Sequence, residues 1–577
     1  MPVNKRNFQD FSLTNPKTSE NNDKVIQSTK NNETVAVTGG EIIVERQTSQ
    51  LSTNYDARKV SDLPTTTNKS VDTQALLTPG VVSNLPTNKV ATPVTTPTNT
   101  PTPTNTPAPT NTPIESNTEG YTNYGVNPWT NTKKDHFSTF AVDVDTGSYT
   151  IARRKLNEGV LPPVDSVRVE EFVNYFKYQY PAPETKHPFS LTMEASTSPF
   201  NENRYLLRIG LKGREVAQKE RPAAHLTFLV DTSGSMQSED KIELVKKSLK
   251  MLTNHLQPTD TVAITTYAGG VSLVLPPTNI SDKGIILNAI DQLQSGGSTA
   301  MEAGIDLAYK QALNSLQPQS INRIIICSDG DANVGRTSHT EILKQMENYV
   351  EQGITVSTIG FGMGNYKDTM MEQFANKGNG NYYYVDGVFQ AKRIFVEQLA
   401  GTLQVIAKDV KVQVEFNPAA VSEYRLVGYE NRDIADEDFR NDEVDAGEIG
   451  AGHMVTAIYE VKLQKEPAKD LATVRLRYKT PDANKTTPAQ EVAANLDLSR
   501  IQQNFNETSE DFRFSIAVAA FAEVLRHSQA AKTWSLDKIA NIAETSLQSN
   551  NKERQEFFQL VKKAQALKPV LPPNPKP

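Results

Sequence analysis

The sequence predicts an α/β protein: a doubly wound, mostly parallel sheet with an accompanying β-sandwich and a C-terminal helical region, behind a disordered N-terminus. Three observations carry this. Residues 222–403 alternate short apolar runs with amphipathic stretches, the βαβ cadence that lays helices on both faces of a parallel sheet. Beyond residue 404 the apolar period becomes two, as in strands with one buried face. Residues 1–134 carry Thr, Asn, Pro and Ser in place of large apolar side chains, too little to offset chain entropy by burial.

Taken in order, the first segment centres on a Thr-Pro-Thr-Asn-Thr-Pro near-repeat over 96–113, whose prolines favour an extended stalk. Residues 135–221 form a flanking segment. Val169, Phe172, Val173 and Phe176 have the spacing of a short helix, and 189–195 and 205–211 read as strands that pack on the C-terminal β region. The α/β domain follows at 222–403, with strands over 226–230, 261–267, 271–275, 323–327, 355–359 and 382–385. Its helices are expected near 240–255, 283–293, 300–313, 340–351 and 369–376. Residues 404–505 are sandwich-like: Val410, Val412, Val414 and Phe416 alternate with polar residues, as do Val474, Leu476 and Tyr478. Residues 506–577 hold helices, opening at Thr508 with Asp511 as capping-box partner, and a Pro-rich tail from Lys568.

Bulk properties exclude several functions. The 577 residues carry a net charge of −7 with no basic block, which argues against nucleic acid as a partner. No stretch approaches the ~20 apolar residues of a membrane span. The single cysteine, Cys327, lies in an apolar strand run and is expected to pack as a small hydrophobe. Met1 to Lys17 lack the apolar core of a signal peptide, which read literally makes the chain cytosolic.

Five oxygen-bearing side chains form the candidate site. Asp231, Ser233 and Ser235 follow the apolar run 226–230, Thr299 follows Gly296-Gly297-Ser298, and Asp329 ends an apolar run at Ser328. In an open α/β sheet, residues placed after strands or before helices meet at the carboxyl edge. Hydroxyl-rich oxygen donors with few charges suit Mg²⁺, with Mn²⁺ or Ca²⁺ as alternatives, and leave the ion electrophilic toward an incoming carboxylate. Ser233, Ser235 and Thr299 can coordinate directly; Asp231 and Asp329 can orient bound waters or bind directly. The competing expectation is that both aspartates only cap helices or turns.

With these residues in place, 222–403 resembles a von Willebrand factor type A domain, a Rossmann-like fold. The five residues match that family's metal-ion-dependent adhesion site, which implies them as its ligand set. Phe140-Ala-Val-Asp-Val-Asp-Thr-Gly-Ser-Tyr149, Val167-Arg-Val-Glu-Glu-Phe172 and Gly450-Ala-Gly-His453 resemble the bacterial YfbK-type subgroup with its C-terminal extension. Members of that subgroup often carry secretion or lipoprotein signals, which implies the cell envelope or periplasm and leaves the compartment open against the cytosolic reading. Residues 41–82 are faintly similar to plug segments of TonB-dependent receptors.

The expectation is therefore a non-enzymatic binding protein that grips a protein partner's Glu or Asp through Mg²⁺, with rim contacts from loops 268–270 and 362–367. A metal-assisted hydrolase is the alternative from another class, and no His, Cys or second carboxylate cluster stands beside the site in sequence to act as base. A scaffold or chaperone-like subunit working with a MoxR-type ATPase is the third. Asp145-Thr146-Gly147-Ser148 spells an aspartic-protease tripeptide, but no second copy exists to share a proton. Asp143 and Asp145 are instead expected to serve turn and cap hydrogen bonds near the sheet edge. The acidic loop 433–448 is expected to be solvated, or else to mask the metal site with one of its carboxylates.

Overall fold

The computed structural model describes residues 119–183, 187–330, 339–362, 366–483 and 487–567. The near-repeat over 96–113, the 41–82 fragment and the tail from Lys568 lie outside the described residues. The unordered segment expected over 1–134 does not extend through 119–134. Gly120 N–H donates to the Tyr366 carbonyl at 2.9 Å, and Thr130–Asn131 pair with Val421–Val427. Composition misjudged this stretch because its anchors are polar: Glu119 bridges Arg154 and Lys155 at 2.7 and 2.9 Å.

Six strands form the α/β sheet, in the spatial order Tyr382–Val385, Thr355–Phe361, Ile321–Ser328, Ala224–Asp231, Thr261–Tyr267, Val271–Asn279. All neighbours are parallel except the last pair, an antiparallel hairpin. Both faces are covered, so the central strands are apolar on alternate residues in both directions. Phe228, Val230 and Ile325 meet helices Leu244–His255 and Lys283–Asp291. Leu229, Ile324 and Ile326 meet Met301–Asn314 and His339–Val350. The helix expected over 240–255 is in two parts, a π-helical turn Glu239–Glu243 followed by Leu244–His255.

Two further sheets face each other. One runs Thr130–Asn131, Val421–Val427, Met454–Leu463, Tyr205–Gly213, Phe189–Thr197, Ile501–Gln502; the other joins Gly447–Gly450 and Phe137–Ala141 to Val405–Phe416, then Asp470–Lys479 and Gln490–Asp497. Ile209, Leu211, Val455 and Ala457 of the first meet Val412, Val414, Val474 and Leu476 of the second in one core. The first sheet is also covered behind: Leu206, Val427 and Ile458 pack on helices Glu510–Leu525, Leu536–Thr545 and Lys552–Ala566. Ser509, not Thr508, caps the first of these, its Oγ accepting from Phe512 N–H. Asp511 instead accepts from Gln179 N–H and pairs with Arg554.

The flanking segment closes the open edge of the α/β sheet. Edge strand Tyr382–Val385 offers unpaired backbone groups, a liability unless covered. Asp145 accepts from Tyr382 N–H at 2.8 Å, and Thr150, in helix Gly147–Asn157, donates to Tyr384 C=O at 3.0 Å. Asp143 in turn accepts from Asp145 N–H at 2.8 Å. The aspartates of the protease-like tripeptide region thus serve the sheet edge.

Around them lies a buried charge lattice. Arg432 reaches Asp143 at 3.3 Å, Asp145 at 3.0 Å and Glu372 at 3.9 Å. Arg168 pairs with Glu171, with Asp368 at 2.6 Å and with Glu372 at 3.8 Å. Glu170 accepts from Tyr429 N–H at 2.8 Å. The flank, the α/β helix Asp368–Lys377 and the 430–432 turn of the sandwich meet here. Burial, with Glu430 and Asp143 adding, pushes Glu170 up to about 7. Burial also raises Glu171 to about 8, against the opposing Arg168.

Arg432→Ala leaves three buried carboxylates short of their cation and is expected to cost about 3–5 kcal/mol in urea denaturation. Glu170 and Glu171 have folded pKa values above the ordinary 4.5, so the folded state holds more protons than the unfolded one. Their stabilisation is complete below that value and is lost as pH rises through about 7 to 8. Glu171→Gln, which stays neutral, is expected to flatten the fall of the urea midpoint across that window; an unchanged slope overturns the assignment.

Candidate metal site at the sheet edge

Asp231 is the last residue of Ala224–Asp231 and is fully buried. Its Oδ1 accepts from Ser233 N–H at 2.9 Å, a turn that starts the loop to the next helix. Its Oδ2 accepts from the Tyr267 and Ser328 hydroxyls, each at 2.9 Å. Ser233 Oγ and Ser235 Oγ are 2.9 Å apart, and Ser235 is partly exposed. Three of the five expected residues therefore stand in one hydrogen-bonded group.

Thr299 arrives by a separate loop. Gly296 N–H donates to Thr232 C=O at 2.8 Å, and Gly234 N–H donates to Gly297 C=O at 2.9 Å, stitching this loop to the serine loop. Gly297 has φ +90° and lies so close to Gly269 that a Cβ would sit 3.1 Å from its nitrogen; only glycine fits. Thr299 follows, partly exposed, just before helix Met301–Asn314. Asp329 follows Ile321–Ser328 and is fully buried, its Oδ2 accepting from Lys241 Nζ at 3.0 Å. Its neighbour Ser328 ties it to Asp231. All five residues lie at the carboxyl edge of the sheet, where parallel α/β folds place ligands.

Burial pushes the Asp231 carboxyl above the ordinary range; hydrogen bonds from Ser233 and Ser328 pull it down, while the Asp329 charge adds to the rise. Two carboxylates buried at one sheet edge call for positive charge, of which Lys241 supplies one beside Asp329. The donor set is hard oxygen throughout, three hydroxyls and two carboxylates, which fits a Mg²⁺-like ion. Among the described residues there is no group of three or more His, Cys, Asp or Glu placed to hold a metal.

Three contributors escaped the sequence reading. Tyr267 ends strand Thr261–Tyr267 and Ser328 ends Ile321–Ser328, so the strand-end rule that selects Asp231 also marks them. Lys241 carried no such signal. Of the rim loops, Gly269 lies against Ser298 and Lys367 packs its backbone on Gly330, while 363–365 lie outside the described residues. The acidic loop does not reach it. Asp436 accepts from Thr139, Asp442 pairs with Arg477 at 2.7 Å, and burial raises Glu448 beside Arg323, at the opposite end of the strand that leads to Asp329. Cys327 is buried in the sheet core, its thiol pushed up by burial. His453 accepts from Gly450 N–H through Nδ1 at 3.2 Å, and burial lowers it to about 4, leaving a neutral structural ring.

The von Willebrand factor type A domain model matches residues 225–430, a further von Willebrand factor model matches 115–208, and a model described as "Uncharacterized protein YfbK, C-terminal" matches 401–567. The uncharacterized protein YfbK of Escherichia coli K12 is 38% identical over 471 residues, 77% of this chain and 80% of that protein. Inter-alpha-trypsin inhibitor heavy chain H3 of Rattus norvegicus is 23% identical over 204 residues, 33% of this chain and 22% of that protein. The solved von Willebrand factor type A structure from Catenulispora acidiphila is 16% identical with a TM-score of 0.40, covering 67% of this chain and 91% of its own. Among the described residues no helix is long and apolar enough to cross a membrane.

Tyr267→Phe removes one of two hydroxyl donors to Asp231 Oδ2 and is expected to cost about 1–2 kcal/mol of stability, read by urea denaturation. A neutral effect would show that the phenol is not a support of this carboxylate.

Proposed function

The chain belongs to the YfbK family of von Willebrand factor type A domain proteins, and from that premise we propose that it is a metal-dependent protein-binding module. Domains of this kind commonly mediate protein–protein interaction. On this reading Ser233, Ser235 and Thr299 would hold Mg²⁺ by their hydroxyls, with Asp231 and Asp329 ordering bound waters or binding directly. Such a cation offers a vertex to a Glu or Asp of a protein partner, and loops 268–270 and 362–367 give the contact its selectivity.

What supports the reading is that backbone hydrogen bonds stitch the serine loop to the loop that carries Thr299, with Ser235 and Thr299 partly exposed and Asp231 buried beneath Ser233. Mn²⁺ or Ca²⁺ would be accepted by the same oxygens. Hydrolysis is the weaker reading: Asp231 is held by the Tyr267 and Ser328 hydroxyls and Asp329 by Lys241, which suits neither to the part of a general base.

Thr299→Ala is the cleanest test. Thr299 is partly exposed, whereas Asp231→Ala also strands the Tyr267 and Ser328 hydroxyls and lowers stability by itself. Affinity capture in Mg²⁺ is expected to retrieve an acidic-surfaced partner with the native chain, to fail in EDTA, and to weaken by at least about tenfold with Thr299→Ala. Equal capture in EDTA, or by the variant, sinks the proposal.

A further inference from the structure

We propose that Lys241 is a built-in counter-cation that keeps Asp329 from direct coordination and so holds metal affinity low until a partner's carboxylate arrives. This rests on the metal-binding reading above. Lys241 Nζ lies 3.0 Å from Asp329 Oδ2, and both side chains are buried, 8% and 0% exposed. The lysine comes from the π-helical turn Glu239–Glu243, a local widening that is frequent at functional sites.

The seat of the lysine is fixed. Its stem lies on Gly362, where an added Cβ would fall 2.2 Å from Lys241 Cγ and 2.3 Å from Cε. Gly362 has φ +77°, and its carbonyl accepts from Arg154 Nη1 at 3.0 Å and from the Tyr384 hydroxyl. Arg154 belongs to helix Gly147–Asn157 and is itself held by Glu119 at 2.7 Å. The flanking segment thus braces the ammonium against the metal edge.

A divalent ion bound directly through Asp329 Oδ2 would sit about 2 Å from that oxygen, hence within roughly 5 Å of a fixed positive charge. In a buried site that repulsion is large compared with its value in water. Direct coordination through Asp329 is thereby disfavoured, the neutral hydroxyls carry the ion, and it gains most from a partner's incoming carboxylate. Metal and partner consequently bind cooperatively.

The test titrates Mn²⁺ alone into the full chain by calorimetry, with Lys241→Met, Lys241→Gln and Thr299→Ala beside the native protein. Both lysine variants are expected to bind Mn²⁺ at least about tenfold more tightly than native chain, and Thr299→Ala more weakly. Native chain that binds Mn²⁺ while both lysine variants bind equally or more weakly overturns the role of Lys241 and leaves the metal site standing. Absence of Mn²⁺ binding in the native chain and in both lysine variants alike, or Thr299→Ala that binds as native chain does, overturns the site reading and this inference with it. A lysine variant that unfolds in the absence of metal is followed by thermal melts instead: stabilisation by Mn²⁺ beyond that of the native chain supports the role, and none overturns it.

Discussion

A few guanidinium groups enclosed with more carboxylates than they can neutralise hold this molecule together. Arg168 and Arg432 stand among Asp143, Asp145, Glu171, Asp368 and Glu372, with Glu170 alongside, and these groups come from the flank, the α/β domain and the sandwich. Removing such charges from water is expensive, and only a lattice in which each group has several partners offsets it. The geometry is correspondingly specific. Moving the flank relative to the α/β domain would strip partners from several buried charges at once, so the two behave as one body.

A second buried cluster repeats the device across the sandwich. Arg425 pairs with Glu460 at 2.7 Å and with Glu523 at 3.0 Å, joining strand to covering helix. Glu523 stays ionised despite its burial because Arg526 and Arg425 oppose the desolvation. Directional ion pairs add a defined register to the apolar packing. The helical layer is thereby registered on the sheet that it covers.

Rigidity in the frame matters at the sheet edge. The site uses loops that have no sheet pairing of their own, and their positions depend on contacts such as Gly234 to Gly297 and Gly296 to Thr232. The flank reaches this edge too, since Arg154 fixes Gly362 and Gly362 seats Lys241. Two motifs of the flank acquire a physical meaning here: 140–149 supplies Asp143 and Asp145, and 167–172 supplies Arg168, Glu170 and Glu171. These residues are charges of the buried lattice.

By itself the chain's order of residues settled the alternation of strands and helices over 222–403 and the period-two strands beyond 404, and it named the strand ends from which a site could be built. Each is a local property: apolar spacing decides the element, and strand ends in a parallel sheet share one side. It erred where polar contacts replaced apolar ones, as in residues 119–134, whose order comes from backbone pairing and from Glu119. Only the tertiary structure decided which charges are buried together. Asp143 and Arg432 lie nearly three hundred residues apart, and Lys241 meets Asp329 through a π-helical turn that no periodicity announces. Charged side chains read as solvated in one dimension; their desolvation depends on what the folded chain brings over them.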